Sequence, residues 1–262
     1  MKVKVSVIMS EYNTEKDILE QAIKSILNQT FKDFEFIIVN DGKHKTLSNL
    51  LETINDKRII LIENGENIGL AKSLNKAIEA SKGKYLVRMD TDDIAHSNRI
   101  EKLVEFIEKN PQYSVVGSSV NILNEKNEKI KKQFIGEITK RELMDRKAPV
   151  HPSVLMKKND VCKVGGYRTK NVQRCEDFVL WAELLLNKYR IFIVEDVLLD
   201  YRVRLIDYKK RKLSTRRDEI LNRLKYYKLL KATPVQYVTI WKSVVAGFIP
   251  HKIIAWYHRQ GG

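Results

Sequence analysis

The densest chemical feature of this 262-residue chain is the run Asp90-Thr91-Asp92-Asp93. Carboxylates crowded onto one loop repel one another and require a compensating cation or generous solvation. Hard oxygen ligands suit Mg²⁺ or Mn²⁺, ions that also take phosphate oxygens from a substrate. The competing reading is that Asp92 or Asp93 only helps to start a following helix, at its positive end. A second acidic pair, Glu176-Asp177, precedes Phe178, Leu180, Trp181, Leu184 and Leu185, an apolar series at helical spacing. Acids there commonly serve as caps, and a carboxylate opening a helix at a cleft is equally placed to act as a general base. Trp181 reads by default as core. The chain has no GxxxxGK[ST], and Gly65 with Gly69 does not make GxGxxG. A nucleoside triphosphatase and a dinucleotide-binding dehydrogenase are therefore disfavoured.

The elements that must position these residues alternate over roughly the first hundred positions. Val3 to Met9 is a β-branched, apolar strand, followed by a helix with Ile18, Leu19, Ala22, Ile23, Ile26 and Leu27 on one stripe and Asn13 or Thr14 as its cap. Phe36 to Val39 and Ile59 to Ile62 read as buried strands, with a helix over about Thr46 to Asn55 between them. A helix striped by Leu70, Ala71, Leu74, Ala77 and Ile78 is expected to end at Gly83. Tyr85-Leu86-Val87 then leads into the acidic run, and Ser97 is expected to cap a helix carrying Ile100, Leu103, Val104 and Ile107. Further on, Asn124 to Glu128 reads as a hairpin turn, with strands at Ile191 to Val194 and Val197 to Val203. Repeated βα units of this kind predict a mostly parallel, Rossmann-like sheet flanked by helices.

Ligands of open α/β sheets bind at the carboxyl ends of the strands. Three polar clusters fall at such ends: Ser10-Glu11-Tyr12-Asn13, Asn40-Asp41-Gly42 and the Asp90 to Asp93 run. One strand-end Asp such as Asp41 is usually a turn residue. Three successive clusters favour a binding edge.

Seven segments, in order, resemble the family 2 glycosyltransferases over about Val3 to Arg204. They are VSVIMSEYN at 5–13, IVNDG at 38–42, NIGLAKSLNKAI at 67–78, MDTDD at 89–93, HPSVLMKK at 151–158, GGYR at 165–168 and EDFVLW at 176–181. The resemblance, which extends to enzymes of bacterial surface-polysaccharide assembly, implies a GT-A fold, a nucleotide-sugar donor (a UDP-sugar foremost) and an inverting reaction with Mn²⁺ or Mg²⁺ at a DxD site. It implies that Tyr12 lies against the nucleobase, that Asp41 bonds the base ring and that the backbone at Ser10 shapes the same pocket. Lys72 would approach the nucleotide or its phosphates, Asp90 the ribose or metal, and Asp92 the cation on the diphosphate. Asp177 would be the catalytic base, with Glu176 second. His151 and Trp181 would stand on the donor-sugar or acceptor side, although a His before Pro can equally be a plain loop residue. The acceptor implied is a glycan or lipid-linked glycan.

Two other functions compete. A sugar nucleotidyltransferase shares the layout and metal use, but favours a Gly-rich, basic phosphate loop after the first strand, where this chain has Glu11 to repel phosphates. A nucleic-acid binder is suggested by a net charge of +15. Such a protein would line its folded domain with basic and stacking side chains. Here 15 Lys and Arg against 3 Asp and Glu lie from Arg202 to Gly262, so +12 of the +15 is in the tail.

A catalytic domain over 1–207 and a basic, amphipathic helical extension over 208–262 follow from that asymmetry. Lys209-Lys210-Arg211-Lys212 with Arg216 and Arg217, the stripe Val238, Trp241, Val244, Val245 and Phe248, and the mixture Ile253, Ile254, Trp256 and Tyr257 beside Lys252 and Arg259 suit an anionic membrane interface. The fifteen residues between Pro234 and Pro250 would span ~22 Å as a helix, short of the ~30 Å hydrocarbon core. The alternative is that these helices pack on the catalytic domain or on another subunit. Nothing at the N-terminus reads as a signal peptide, and Cys162 and Cys175 form no CxxC. The expected location is cytoplasmic, peripheral on the inner face of the membrane.

Overall fold

The computed structural model describes residues 3–42, 45–124, 129–132, 134–203 and 216–248, and no side chains for Lys132 or 242–248. Its strands form a single mixed sheet in the order β3-β2-β1-β4-β9-β6-β10-β5. The first four members are β1 (Val5–Glu11), β2 (Phe34–Asn40), β3 (Ile59–Glu63) and β4 (Tyr85–Arg88). They are mutually parallel, with β1 central between β2 and β4. Phe34 to Asn40 and Tyr85 to Arg88 are buried throughout, as near-continuous apolar runs must be when helices cover both faces of a parallel sheet.

The crossovers are α1 (Lys16–Leu27), α2 (Lys45–Ile54) and α3 (Leu70–Ala80), and α4 (Arg99–Lys109) follows the short β5 (Ile94–Ala95). Leu19, Ala22, Ile23 and Ile26 of α1 bury the predicted stripe. The predicted caps are not used. Glu15 stands at the N-cap of α1 and Asn98 at that of α4, neither with a side-chain bond to the helix. Thr14 is drawn away instead, its Oγ1 lying 2.7 Å from Thr91 Oγ1. Nor does Gly83 end α3, whose C-cap is Ser81. Gly83 is needed because the chain crosses β1 there: an added Cβ would lie 2.5 Å from the Ser6 backbone nitrogen.

In the second half, β6 (Tyr113–Leu123) pairs in parallel with β10 (Arg190–Arg202), and β9 (Leu155–Lys157) runs antiparallel between β4 and β6. The two strands expected at 191–194 and 197–203 are one, carried across register shifts. Such bulges add twist without breaking the strand. β7 (Lys129–Lys132) pairs antiparallel with β6, as a hairpin requires; its turn residues 125–128 lie outside the described residues. β8 (Gly136–Ile138) pairs with β10, and α5 (Lys140–Met144), a 3₁₀ turn at His151–Ser153, α6 (Lys158–Lys163) and α7 (Glu176–Leu186) complete this half.

Two apolar cores lie on opposite faces of the sheet. One gathers Val7, Met9, Ile23, Val87, Leu103 and Ile107, the other Ile8, Val39, Leu74, Leu86, Trp181 and Leu184. The second core also takes Tyr226, Tyr227, Leu230 and Ile240. These come from α8 (Arg217–Leu229) and its C-cap, and from α9 (Pro234–Phe248). Tyr227 Oη donates to the Met144 carbonyl at 2.6 Å, and Arg146 donates to the Thr239 carbonyl at 2.7 Å. The inner faces of these C-terminal helices therefore pack on the catalytic half. The junction expected at 207, the basic run 209–212 and the aromatic segment beyond Pro250 lie outside the described residues, as do the side chains of Val244, Val245 and Phe248. Among the described residues no helix is long and apolar enough to cross a membrane.

Candidate active site

The carboxyl ends of β1, β2 and β4 carry the three expected polar clusters. After β1 the chain turns through Asn13, held in the left-handed region at φ 58°. That turn leaves Tyr12 52% exposed, a free aromatic face at the sheet edge. Ser10 is half-buried beside it. Glu11 does not face a phosphate site, contrary to expectation. It is buried, and its Oε1 accepts the Thr14 amide at 2.9 Å, so its charge holds the turn.

Asp41, just beyond β2, is buried. Its Oδ1 accepts from Asn64 Nδ2 at 3.0 Å and the Ile68 amide at 2.8 Å, and its Oδ2 from the Gly69 amide at 2.9 Å. Three of about four acceptor positions on the carboxylate are thus filled by the loop that enters α3. Lys72 stands exposed in the first turn of that helix.

At the end of β4, ligand oxygens of Asp90, Asp92 and Asp93 lie within 4.8 Å of one another. Asp93 completes a set of which only Asp90 and Asp92 were expected. Its Oδ1 accepts the Arg202 amide at 2.9 Å, while Oδ2 is buried without a hydrogen-bond partner. Burial, then the charges of Asp90 and Asp92, push the Asp93 carboxyl well above the usual carboxylate range. Arg202 Nε also donates to the Asp92 carbonyl at 2.9 Å, fixing the loop from β10. Three clustered carboxylates, one with an orphaned buried oxygen, fit a hard divalent cation.

Two buried arginines, neither anticipated, support this loop. Arg88, the last residue of β4, is 2% exposed and ion-paired with Asp90. Burial opposes its charge, but Asp90, then Tyr167 and Asp93, more than offset this and raise its pKa. Arg99 donates to the Arg88 carbonyl at 2.7 Å and to the Pro152 carbonyl, joining the acidic loop to the HPS segment. Burial, with repulsion from Arg88, lowers its pKa to about 9 despite Asp93 and Asp90. The available signal for Arg88 was a single charge inside an otherwise apolar strand.

Glu176 and Asp177 form the first turn of α7, both half-buried. Burial and the adjacent Asp177 raise the Glu176 carboxyl to about 7, while Arg88 pulls it down and Asp90 adds to the rise. The acid pair and the metal-type cluster thus share one electrostatic environment, with Arg88 acting on both. Asp177 is also raised by burial, opposed by the Phe178 amide bonding its Oδ1 at 2.6 Å and by Arg223 and Arg88.

His151 and Trp181, expected on the sugar or acceptor side, are instead interior. Trp181 is fully buried in the core, and its ring centroid lies 6.1 Å from that of His151. His151 Nε2 lies 2.7 Å from Tyr167 Oη, and burial beside Arg88 drives its pKa well below the usual value. The imidazole is therefore neutral at pH 7, a wall behind Arg88. Tyr167 is in turn fixed by Asn75, which accepts its amide at 2.9 Å and donates to its carbonyl at 2.8 Å.

A Rossmann-like half sheet with acids at the carboxyl end of β4 and on the facing helix defines a GT-A protein. The model of glycosyl transferase family 2 matches residues 6–164, and the chain belongs to that family. An uncharacterized glycosyltransferase of Methanocaldococcus jannaschii is 35% identical over 247 residues, 91% of this chain and 80% of its own. The Escherichia coli UDP-Gal:alpha-D-GlcNAc-diphosphoundecaprenol beta-1,3-galactosyltransferase is 30% identical over 207 residues, 76% of this chain and 74% of that one. The fold matches residues 1–349 of S. aureus TarS, crystallised with UDP-GlcNAc, at a TM-score of 0.65 and 20% identity, covering 87% of this chain and 70% of that one. The protein is a glycosyltransferase.

Proposed function

We propose that this enzyme transfers a sugar from a UDP-sugar to a hydroxyl of a glycan or lipid-linked glycan in polysaccharide assembly, inverting the anomeric configuration. The observation that carries the reading is the shared setting of the Asp90, Asp92 and Asp93 carboxylates and the half-buried pair Glu176 and Asp177, with Arg88 acting on both. The names of the E. coli relative and of the TarS complex support UDP as carrier, and the former supports a diphosphate-lipid acceptor.

The donor's base stacks on exposed Tyr12, beside Ser10, and its ring N–H meets the acceptor position left on Asp41. Lys72 approaches the phosphates from the first turn of α3. Asp90, Asp92 and Asp93 hold Mn²⁺ or Mg²⁺, which when bound offsets the charge developing on the departing diphosphate. Asp177 takes the proton of the acceptor hydroxyl as its oxygen attacks the anomeric carbon opposite the diphosphate, a role worth ~10²–10⁴-fold in general-base catalysis. Glu176, raised to about 7 by burial and by Asp177, keeps the pair from carrying two full charges at neutral pH. One displacement turns an α-linked donor into a β-linked product.

The Ser10-Glu11-Tyr12-Asn13 segment after β1, with no Gly-rich basic phosphate loop, disfavours a nucleotidyltransferase, and the basic excess in the tail disfavours nucleic acid as partner. That excess supports work on the cytoplasmic face of the membrane, where lipid-linked acceptors are held. The test is a screen of nucleotide-sugars for Mn²⁺-dependent hydrolysis or thermal stabilisation, followed by NMR of the product's anomeric centre. A retained anomeric configuration, or no response to any UDP-sugar, overturns the reading.

A further inference from the structure

Exposed apolar side chains are unevenly placed on this molecule. Of the nine large ones among the described residues, six lie on α8 and α9: Leu221, Leu224, Leu229, Val235, Val238 and Trp241. Trp241 is 66% exposed and Val235 77%. The helices have an inner face already used, with Tyr226, Tyr227, Gln236 and Ile240 buried against the catalytic half. The exposed residues form the opposite, outer face. Leu221, Leu224, Lys225 and Lys228 recur at i, i+3, i+4 and i+7, so they share one side of α8, and Val235, Val238 and Trp241 recur every three residues on α9.

The charge on this face has one sign. Lys225, Lys228 and Lys231 are exposed among the apolar residues, and no Asp or Glu occurs from Ile220 to Lys242. The nearest acids in sequence, Asp218 and Glu219, are engaged by the Gln173 amide at 3.1 Å and by Arg223 at 3.0 Å, and the acids that meet these helices in space, Glu183 and Asp145, are bonded on their inner side by Tyr226 at 2.7 Å and Gln236 at 3.2 Å. Protein interfaces are depleted of lysine at their centres. A lipid surface is the partner that uses both features at once, since lysine stems lie along apolar surface while their ammonium groups reach anionic headgroups, and tryptophan favours the same boundary.

We propose that the outer face of the α8–α9 hairpin docks the enzyme on an anionic lipid bilayer, lying in its interface without crossing it. The proposal deepens the membrane location given above by naming the surface.

Truncation after 207 is no test, because it removes Tyr226, Tyr227, Leu230 and Ile240 from the core; surface substitutions are. The full chain is sedimented with vesicles of phosphatidylcholine alone and of phosphatidylcholine mixed with phosphatidylglycerol, at low and high salt. Binding is expected on the anionic vesicles only, weakening with salt. The triple variant Lys225→Gln, Lys228→Gln, Lys231→Gln should lower the partition coefficient about a hundredfold, at about fivefold per lysine. Val238→Glu with Trp241→Glu should lower it at least about tenfold, by opposing apolar insertion. Both variants should keep the wild-type melting temperature within a few degrees, which shows that the fold survives. Full-length protein left in the supernatant at low salt overturns the proposal, as does unchanged binding of either variant. So does a dimer in sedimentation velocity that the same substitutions dissociate, which assigns the face to a second copy. Vesicle binding with no affinity for UDP and Mn²⁺ would count against the transferase reading and leave the docking surface standing.

Discussion

The guanidinium of Arg88, almost wholly buried at the end of β4, is paired with the carboxylate of Asp90 two residues on. Arg88 lies on the same face of β4 as Leu86, the face whose core also takes Trp181 and Leu184 of α7. A cation placed there acts on both groups of acids: Asp93 on one side, Glu176 and Asp177 on the other.

Removing that charge should therefore destabilise the protein in a pH-dependent way. Arg88→Met is expected to cost roughly 3 kcal/mol in urea unfolding, the scale seen when one partner of a buried pair is removed. Arg88 lowers the pKa of neighbouring acids, so its benefit is full at pH 8, where they are ionised, and fades as pH falls and they protonate. Urea midpoints at pH 5 and pH 8 check this. A loss equal at both values would assign Arg88 a packing role alone.

The acidic loop should separate metal binding from stability. Asp92→Asn is expected to abolish Mn²⁺-dependent UDP binding in isothermal titration. Asp93→Asn should weaken the same binding at least about tenfold, while raising the melting temperature of the metal-free protein by a few degrees at pH 8. Its carboxyl is held above the usual range by burial and by Asp90 and Asp92. The neutral amide can still accept from the Arg202 amide and avoids the buried charge. Unchanged UDP affinity in both variants would remove the metal from this loop.

Much of this site was legible because its signals are local. The Asp90 to Asp93 run announces itself by charge, Glu176-Asp177 by its place before an apolar helix, and β1 to β4 by apolar runs and helical stripes. What escaped depends on residues far apart in the chain. Thr14 forgoes its capping role for Thr91, 77 positions away. Asp41 is largely consumed by the 64–69 loop, and Trp181 and His151 retreat into an interior that residues from both halves of the chain build together. Arg88 was hidden by the strand pattern itself, which says that a residue is buried but not which charges meet it there.

The acid pair should set the pH profile. Burial and Asp177 raise Glu176 to about 7, so the pair retains a proton in acid and loses it through neutrality. Log kcat/KM is expected to rise with pH up to about 7 and then level. Asp177→Asn should reduce transfer by about two orders of magnitude or more with donor affinity intact, as for loss of a base. Glu176→Gln should move the inflection to lower pH. If Glu176→Gln abolishes turnover while Asp177→Asn is fully active, the roles are exchanged. Stability follows the same linkage. A carboxyl whose folded pKa is raised favours folding most below its unfolded value, and this is lost as pH rises to about 7. Glu176→Gln should flatten that decline in melting temperature between about pH 4.5 and 7.

The last expectation concerns Gly166, where the glycine pair of GGYR meets α3. Its backbone lies at φ +67°, a conformation that L side chains adopt at a cost, and an added Cβ would stand 2.7 Å from Asn75 Oδ1. That oxygen accepts the Tyr167 amide, so displacing Asn75 releases the backbone of Tyr167. Tyr167 in turn carries the bond to His151 and lies near Arg88. Gly166→Ala is expected to cost about 1–3 kcal/mol, from backbone strain and the displaced amide together. Asn75→Ala should remove the two bonds without the strain, and so cost less than Gly166→Ala. Adding Asn75→Ala to Gly166→Ala should then recover part of the loss, because the clash partner is gone. Urea unfolding of the two single variants and the double variant closes the cycle. Strictly additive costs would show that the tight approach to Asn75 is not what requires glycine at this position.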